Sequence, residues 1–198
     1  MNLVRLERSA LAWVAFAVAT LVASREPARA GDSAAPTPKK VSDAVVETEI
    51  GSFVIRLLPD LAPRQVRYFL ETARNGGYDG TTFHRILPGQ VIQGGDPTSK
   101  DPAREAEYGR GGFGAVRAEL SKRSFTRGTV VAARCPTDKD SSGTQFFVVL
   151  ADQPSLQGHY TIFGEVVSGL TVADSISELG GDDGHPRRRV EMKVRLLD

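Results

Sequence analysis

The side chains best suited to chemistry lie in three short strings. Phe83-His84-Arg85 runs into Pro88-Gly89 and the turn Gln93-Gly94-Gly95-Asp96; Gln145-Phe146-Phe147 follows the turn-rich segment 138–144; Leu156-Gln157-Gly158 comes next. Arg85 is a permanent cation with a planar fork of donors, suited to stabilising charge or a lone pair as it develops. His84 beside it has two readings, a general base or a ring that holds the arginine's strand. Phe147 or Leu156 taken alone would read as core. Cys135, the only cysteine, excludes an intramolecular disulfide and reads as a small half-buried residue or as a reactive thiol. His84, His159 and His185 have no metal-ligand spacing. Gly94-Gly95 and Gly111-Gly112 precede no convincing helix, so they suit tight turns better than phosphate loops.

The elements that must position these residues are short and heavily punctuated. Segments 45–50 and 53–57 read as a hairpin joined at Gly51-Ser52. Pro59 and Pro63 end that strand and open a helix, with Val66, Phe69, Leu70 and Ala73 on one face and Asn75-Gly76-Gly77 as its stop. Apolar runs at 82–86, 91–93, 129–133, 146–150 and 161–166 alternate with glycine-bearing loops. A second helix is expected over 171–179 and a last alternating strand over 190–196. Seven or eight short strands with two helices point to a mainly β antiparallel barrel.

The composition, 40% apolar and 25% charged with a net charge of +1, is that of an ordinary globular chain and gives no electrostatic case for nucleic acid. Arg187-Arg188-Arg189 reads as a solvated turn before the last strand or, less simply, as a binding patch. At the N-terminus Arg5 and Arg8 precede the apolar run 10–23, and Ala28-Arg29-Ala30 offers a cleavage site. Residues 1–30 therefore read as a secretory signal peptide, with an uncleaved anchor as the alternative. Residues 31–43 read as a flexible linker and 44–198 as the folded domain. The expected location is periplasmic or secreted, with no membrane attachment once the signal is cleaved.

The three strings, in this order and spacing, resemble the cyclophilin family of peptidyl-prolyl cis-trans isomerases. The resemblance extends from Val45 to Leu197 and includes segment 109–114, Ala118-Glu119-Leu120 and Phe163-Gly164-Glu165-Val166. It implies a closed eight-stranded antiparallel barrel capped by two α-helices, no cofactor or metal, proline-containing polypeptides as substrates, and a monomer. By position Arg85 matches the catalytic arginine and Gln93 the glutamine that holds it. Gln90, Val91, Phe147, Leu156 and Tyr160 match the proline pocket; Gln145 and the Ala133 backbone match groups that bind the substrate main chain. Gln90 departs from the family's phenylalanine and makes one wall polar. Arg134, with Asp138-Lys139-Asp140-Ser141, looks like the bacterial branch, where eukaryotic members carry asparagine. Ser155 replaces an aromatic residue that contacts cyclosporin, so weak drug binding is expected. Segment 99–108 is longer than usual and reads as an exposed loop or as a border of the groove.

The chemistry the resemblance implies is rotation about an X-Pro amide, whose barrier is roughly 18–20 kcal/mol and which unaided takes on the order of tens to hundreds of seconds. No bond is made or broken. A fixed donor for the prolyl nitrogen and a dry pocket for the ring suffice, because stabilisation made only in the twisted state lowers the barrier.

Overall fold

A computed structural model describes residues 43–197. The expected signal peptide, and the linker apart from Asp43, lie outside the described residues. Strands β1 (Asp43–Thr48) and β2 (Gly51–Leu57) form the first hairpin. Its turn is Glu49-Ile50, not Gly51-Ser52, because Thr48 pairs with Gly51. The Thr48 hydroxyl accepts from the Ile50 amide at 3.1 Å and donates to the Gly51 carbonyl at 2.8 Å, closing the turn two residues early.

Helix α1 (Pro63–Arg74) starts on proline, whose missing N–H costs nothing there, and buries Val66, Phe69, Leu70 and Ala73. Ala62 supplies no side-chain cap. The Glu119 carboxylate does so from a distant loop, accepting from the amides of Arg64 at 3.1 Å and Gln65 at 2.9 Å. The remaining elements are β3 (Thr81–Leu87), β4 (Val91–Gly94), β5 (Thr129–Ala132), β6 (Phe146–Val149), β7 (Thr161–Ser168), α2 (Leu170–Ser177) and β8 (Glu191–Leu197). Helix α2 is shorter at its end than the 171–179 expected, though Leu179 still packs on the core.

Each strand pairs antiparallel with its neighbours, and the order β1-β2-β7-β5-β6-β4-β3-β8 closes into a barrel. Alternation along each strand sorts side chains into two apolar clusters. The larger holds Val46, Phe53, Ile55, Phe83, Ile92, Val130, Phe146, Val148, Phe163 and Met192, together with the buried faces of both helices. Phe146 is its hub: its ring meets Phe69, Tyr78, Phe83 and Phe163 edge-on at 5.9–6.5 Å. The smaller cluster lies on the opposite face of the strands, with Val91, Phe147, Val131, Val149 and Ile162. The paired phenylalanines of Gln145-Phe146-Phe147 thus have separate duties, one filling the core and the next facing away from it.

Segment 99–108 is not a plain exposed loop. It carries 3-10 turns over Pro97–Lys100 and Pro102–Glu107. Ser99 is buried, accepting from the Thr82 amide and donating to the Asp96 carbonyl, whereas residues 101–107 are exposed. Each residue of the arginine triplet is engaged: Arg187 on the Glu178 carbonyl, Arg188 on Glu49, and Arg189 on Glu191 and the Tyr108 hydroxyl.

Candidate active site

A cross-strand row builds the site. Arg85 on β3 pairs with Gln93 on β4, Gln93 with Phe147 on β6, Phe147 with Val131 on β5, and Val131 with Ile162 on β7. Neighbouring strands lie about 4.8 Å apart, so the hydrogen-bond ladder itself sets the spacing between the arginine and the phenylalanine. A bulge in β3 gives Arg85 its direction. Phe83 pairs with Gly94 and Arg85 with Gln93, leaving His84 as an extra residue. Phe83 consequently stays in the core while Arg85 points out into solvent.

Above this row runs a groove of about 520 Å³ whose lining includes Arg85, Gln90, Val91, Gln93, Phe147 and Leu156, and also Ala133, Arg134 and Tyr160. Phe147 and Val91 are each only 7% exposed and form its floor. The Tyr160 ring meets Phe147 edge-on at 5.6 Å, and the Arg134 guanidinium lies 4.7 Å over Tyr160. An apolar floor with one free guanidinium beside it suits a small ring attached to an amide.

Two expected contacts differ. The Gln93 carboxamide does not hold the Arg85 guanidinium; it donates to Gln145 Oε1 at 3.0 Å. Gln145 is fully buried and lies behind the groove, where its Nε2 donates to the Gly111 carbonyl at 2.6 Å. It therefore acts on the groove through Gln93 and the segment it braces. The Ala133 amide is already bonded to the Gln145 carbonyl at 2.9 Å.

Sequence reading gave no site role to Asp96, Gly109, Phe113 or Gln153. The buried Asp96 carboxylate accepts from the amides of Thr98, Gly109 and Gly111 and so straps the 109–113 segment along the groove. Its signal was present in the sequence, an acid directly after paired glycines. Gln153 is unmarked in sequence. Its Nε2 donates to Gln90 Oε1, so the polar residue of the groove wall is tied to a neighbour. Ser155 is exposed on the turn Pro154–Leu156.

His84 lines no part of the groove and is 6% exposed. Neither ring nitrogen makes a hydrogen bond of ordinary geometry among the described residues. Burial holds its pKa below the usual 6.5, against the opposing pull of Asp96 and the nearby Thr82 and Gln145. Of its two readings, the ring that fills the bulge behind Arg85 is the one this placement fits.

The sequence profile of the family described as cyclophilin type peptidyl-prolyl cis-trans isomerase/CLD matches residues 44–196. A probable peptidyl-prolyl cis-trans isomerase of Brucella suis is 37% identical over 176 residues, covering 86% of this chain and 85% of the relative. The chain belongs to the cyclophilin family of peptidyl-prolyl cis-trans isomerases. An Arabidopsis thaliana isomerase is 35% identical to this cyclophilin over 158 residues, 79% of the chain and 94% of the relative. The barrel also matches a cyclophilin type isomerase of Cryptosporidium parvum, crystallised in the presence of the dipeptide Ala-Pro, with a TM-score of 0.70. That match, at 24% identity over 79% of this chain and 99% of the other, concerns the cyclophilin fold.

Proposed function

We propose that this cyclophilin accelerates X-Pro isomerisation in proteins folding outside the cytoplasm, with Arg85 stabilising the twisted amide. The observation that carries the mechanism is the row Arg85–Gln93–Phe147, which sets a guanidinium with no carboxylate partner among the described residues beside an apolar aromatic floor. With the ring on Phe147, Val91 and Leu156, the prolyl nitrogen regains a localised lone pair as the amide twists, and Arg85 donates to it. In the planar ground state that lone pair is delocalised, so the donation favours the transition state selectively. The N-terminal pattern of Arg5, Arg8, the apolar run 10–23 and Ala28-Arg29-Ala30 supports export.

The test is turnover of a proline tetrapeptide by Arg85→Ala and Arg85→Lys. Arg85 is exposed, so both variants should fold. Alanine should remove most activity, and lysine should rescue poorly because it lacks the planar fork. Retention of more than about half the rate by Arg85→Ala would refute the electrostatic mechanism. The Gln90–Gln153 pair favours a second reading, a module that binds proline segments with little turnover. Tight peptide binding by a wild-type protein with no measurable isomerisation would select it.

A further inference from the structure

The charges bordering the groove are unbalanced. Among the described residues its lining includes Arg85 and Arg134 and no aspartate or glutamate. Arg85 has no carboxylate within ion-pair distance among the described residues. Arg134 is bound, but only by neutral groups. Its Nε donates to the His159 carbonyl at 2.9 Å, and its Nη1 to the carbonyls of Cys135 and Pro136 at 3.0 and 3.2 Å. Its face rests on Tyr160, and its Nη2 makes no hydrogen bond among the described residues. The acids on the neighbouring loop are turned to other partners: Asp140 holds Lys139 and the Ala118 amide, and Asp138 caps the Asp140 amide.

We propose that Arg134 is a specificity-determining residue, and that the substrates preferred by this groove carry an aspartate or glutamate next to the proline at the Arg134 end. The inference rests on the isomerase reading above and names the substrate class for that site. Carbonyl partners orient a guanidinium without neutralising it, so the full charge remains for a ligand. The side chain is already immobilised by three hydrogen bonds and a stacked ring, so little rotamer entropy is lost when an acid docks. An acidic flank supplies the missing counter-charge, whereas a lysine there meets the like charge of Arg134.

The experiment compares matched peptides with Glu, Ala or Lys immediately before, and separately immediately after, a single proline. Both kcat/KM and Kd are read. At low salt one flank should favour Glu over Lys by about three- to five-fold, and the ratio should shrink as salt is raised. Arg134→Gln should bring that ratio close to one, while Arg134→Lys, which keeps the charge, should retain most of it. A Glu/Lys ratio near one at both flanks overturns the proposal, as does a ratio that survives Arg134→Gln. The Ala peptide tests the isomerase reading separately. If it is bound but not turned over, that reading fails, and the Kd ratios still decide the role of Arg134. Thermal melting of both variants shows whether the Cys135-Pro136 segment has kept its fold.

Discussion

At the scale of single residues, the pocket joins an apolar floor to a polar wall. Phe147, Val91 and Leu156 offer a proline ring nothing but carbon, whereas Gln90 presents a carboxamide bound to Gln153. Burying a ring against an aromatic residue instead of an amide is worth about 1 kcal/mol or somewhat more. Gln90→Phe should therefore raise proline-peptide affinity or catalytic efficiency several-fold, in line with about 1 kcal/mol. Titration with a proline peptide and a progress-curve assay check this. An unchanged or lower efficiency would mean that the Gln90–Gln153 pair shapes the pocket for its substrate and that phenylalanine disrupts it. Arg85, by contrast, has no side-chain partner among the described residues. Its placement comes from the backbone of β3.

At the scale of elements, the bulge at His84 does the positioning. It lets Phe83 enter the core while Arg85, two residues on, faces the groove, and it buries an imidazole without ordinary hydrogen bonds. In the unfolded chain His84 would take up a proton near its usual 6.5, whereas burial lowers that value in the fold. The unfolded state then binds more protons as the pH drops below 6.5, so stability is complete above that value and declines toward the lowered folded pKa. Urea midpoints measured from pH 7.5 to 5 should fall on acidification, and His84→Gln should flatten the trend. An equally steep trend in the variant would assign it to other groups. This bulge was not legible in the sequence, because one extra residue in a strand leaves the apolar alternation only locally broken. The barrel strands and α1 were legible, since Val66, Phe69, Leu70 and Ala73 carry the helical period and Pro63 and Gly76 bracket it. The first turn was misplaced because Gly51-Ser52 has turn composition, while the deciding contact is the Thr48 hydroxyl. The groove's main members were legible only through the joint pattern of three strings. The strap on Asp96, the Gln93–Gln145 bond and Gln153 depend on tertiary neighbours that no local spacing reveals.

At the scale of the whole molecule, the folded domain carries the groove on the outside of a closed barrel whose interior holds the larger apolar cluster. Export remains the proposal drawn from the N-terminal pattern. If residues 1–30 act as a signal, the mature chain should begin near Gly31 and be recovered in the periplasmic or secreted fraction. N-terminal sequencing after cell fractionation decides it; an intact Met1 in the membrane pellet would show an anchor instead. Closure of the sheet has one more effect. In the role proposed above, an isomerase acting on folding chains is offered bare backbone seeking hydrogen bonds. An open sheet would present it with an unpaired edge and invite it to add a strand, which is the first step toward a shared aggregate. Here β1 pairs with both β2 and β8, so the ladder has no last strand. Within the barrel no such template is on offer, and a client chain is met by side chains, which can release it.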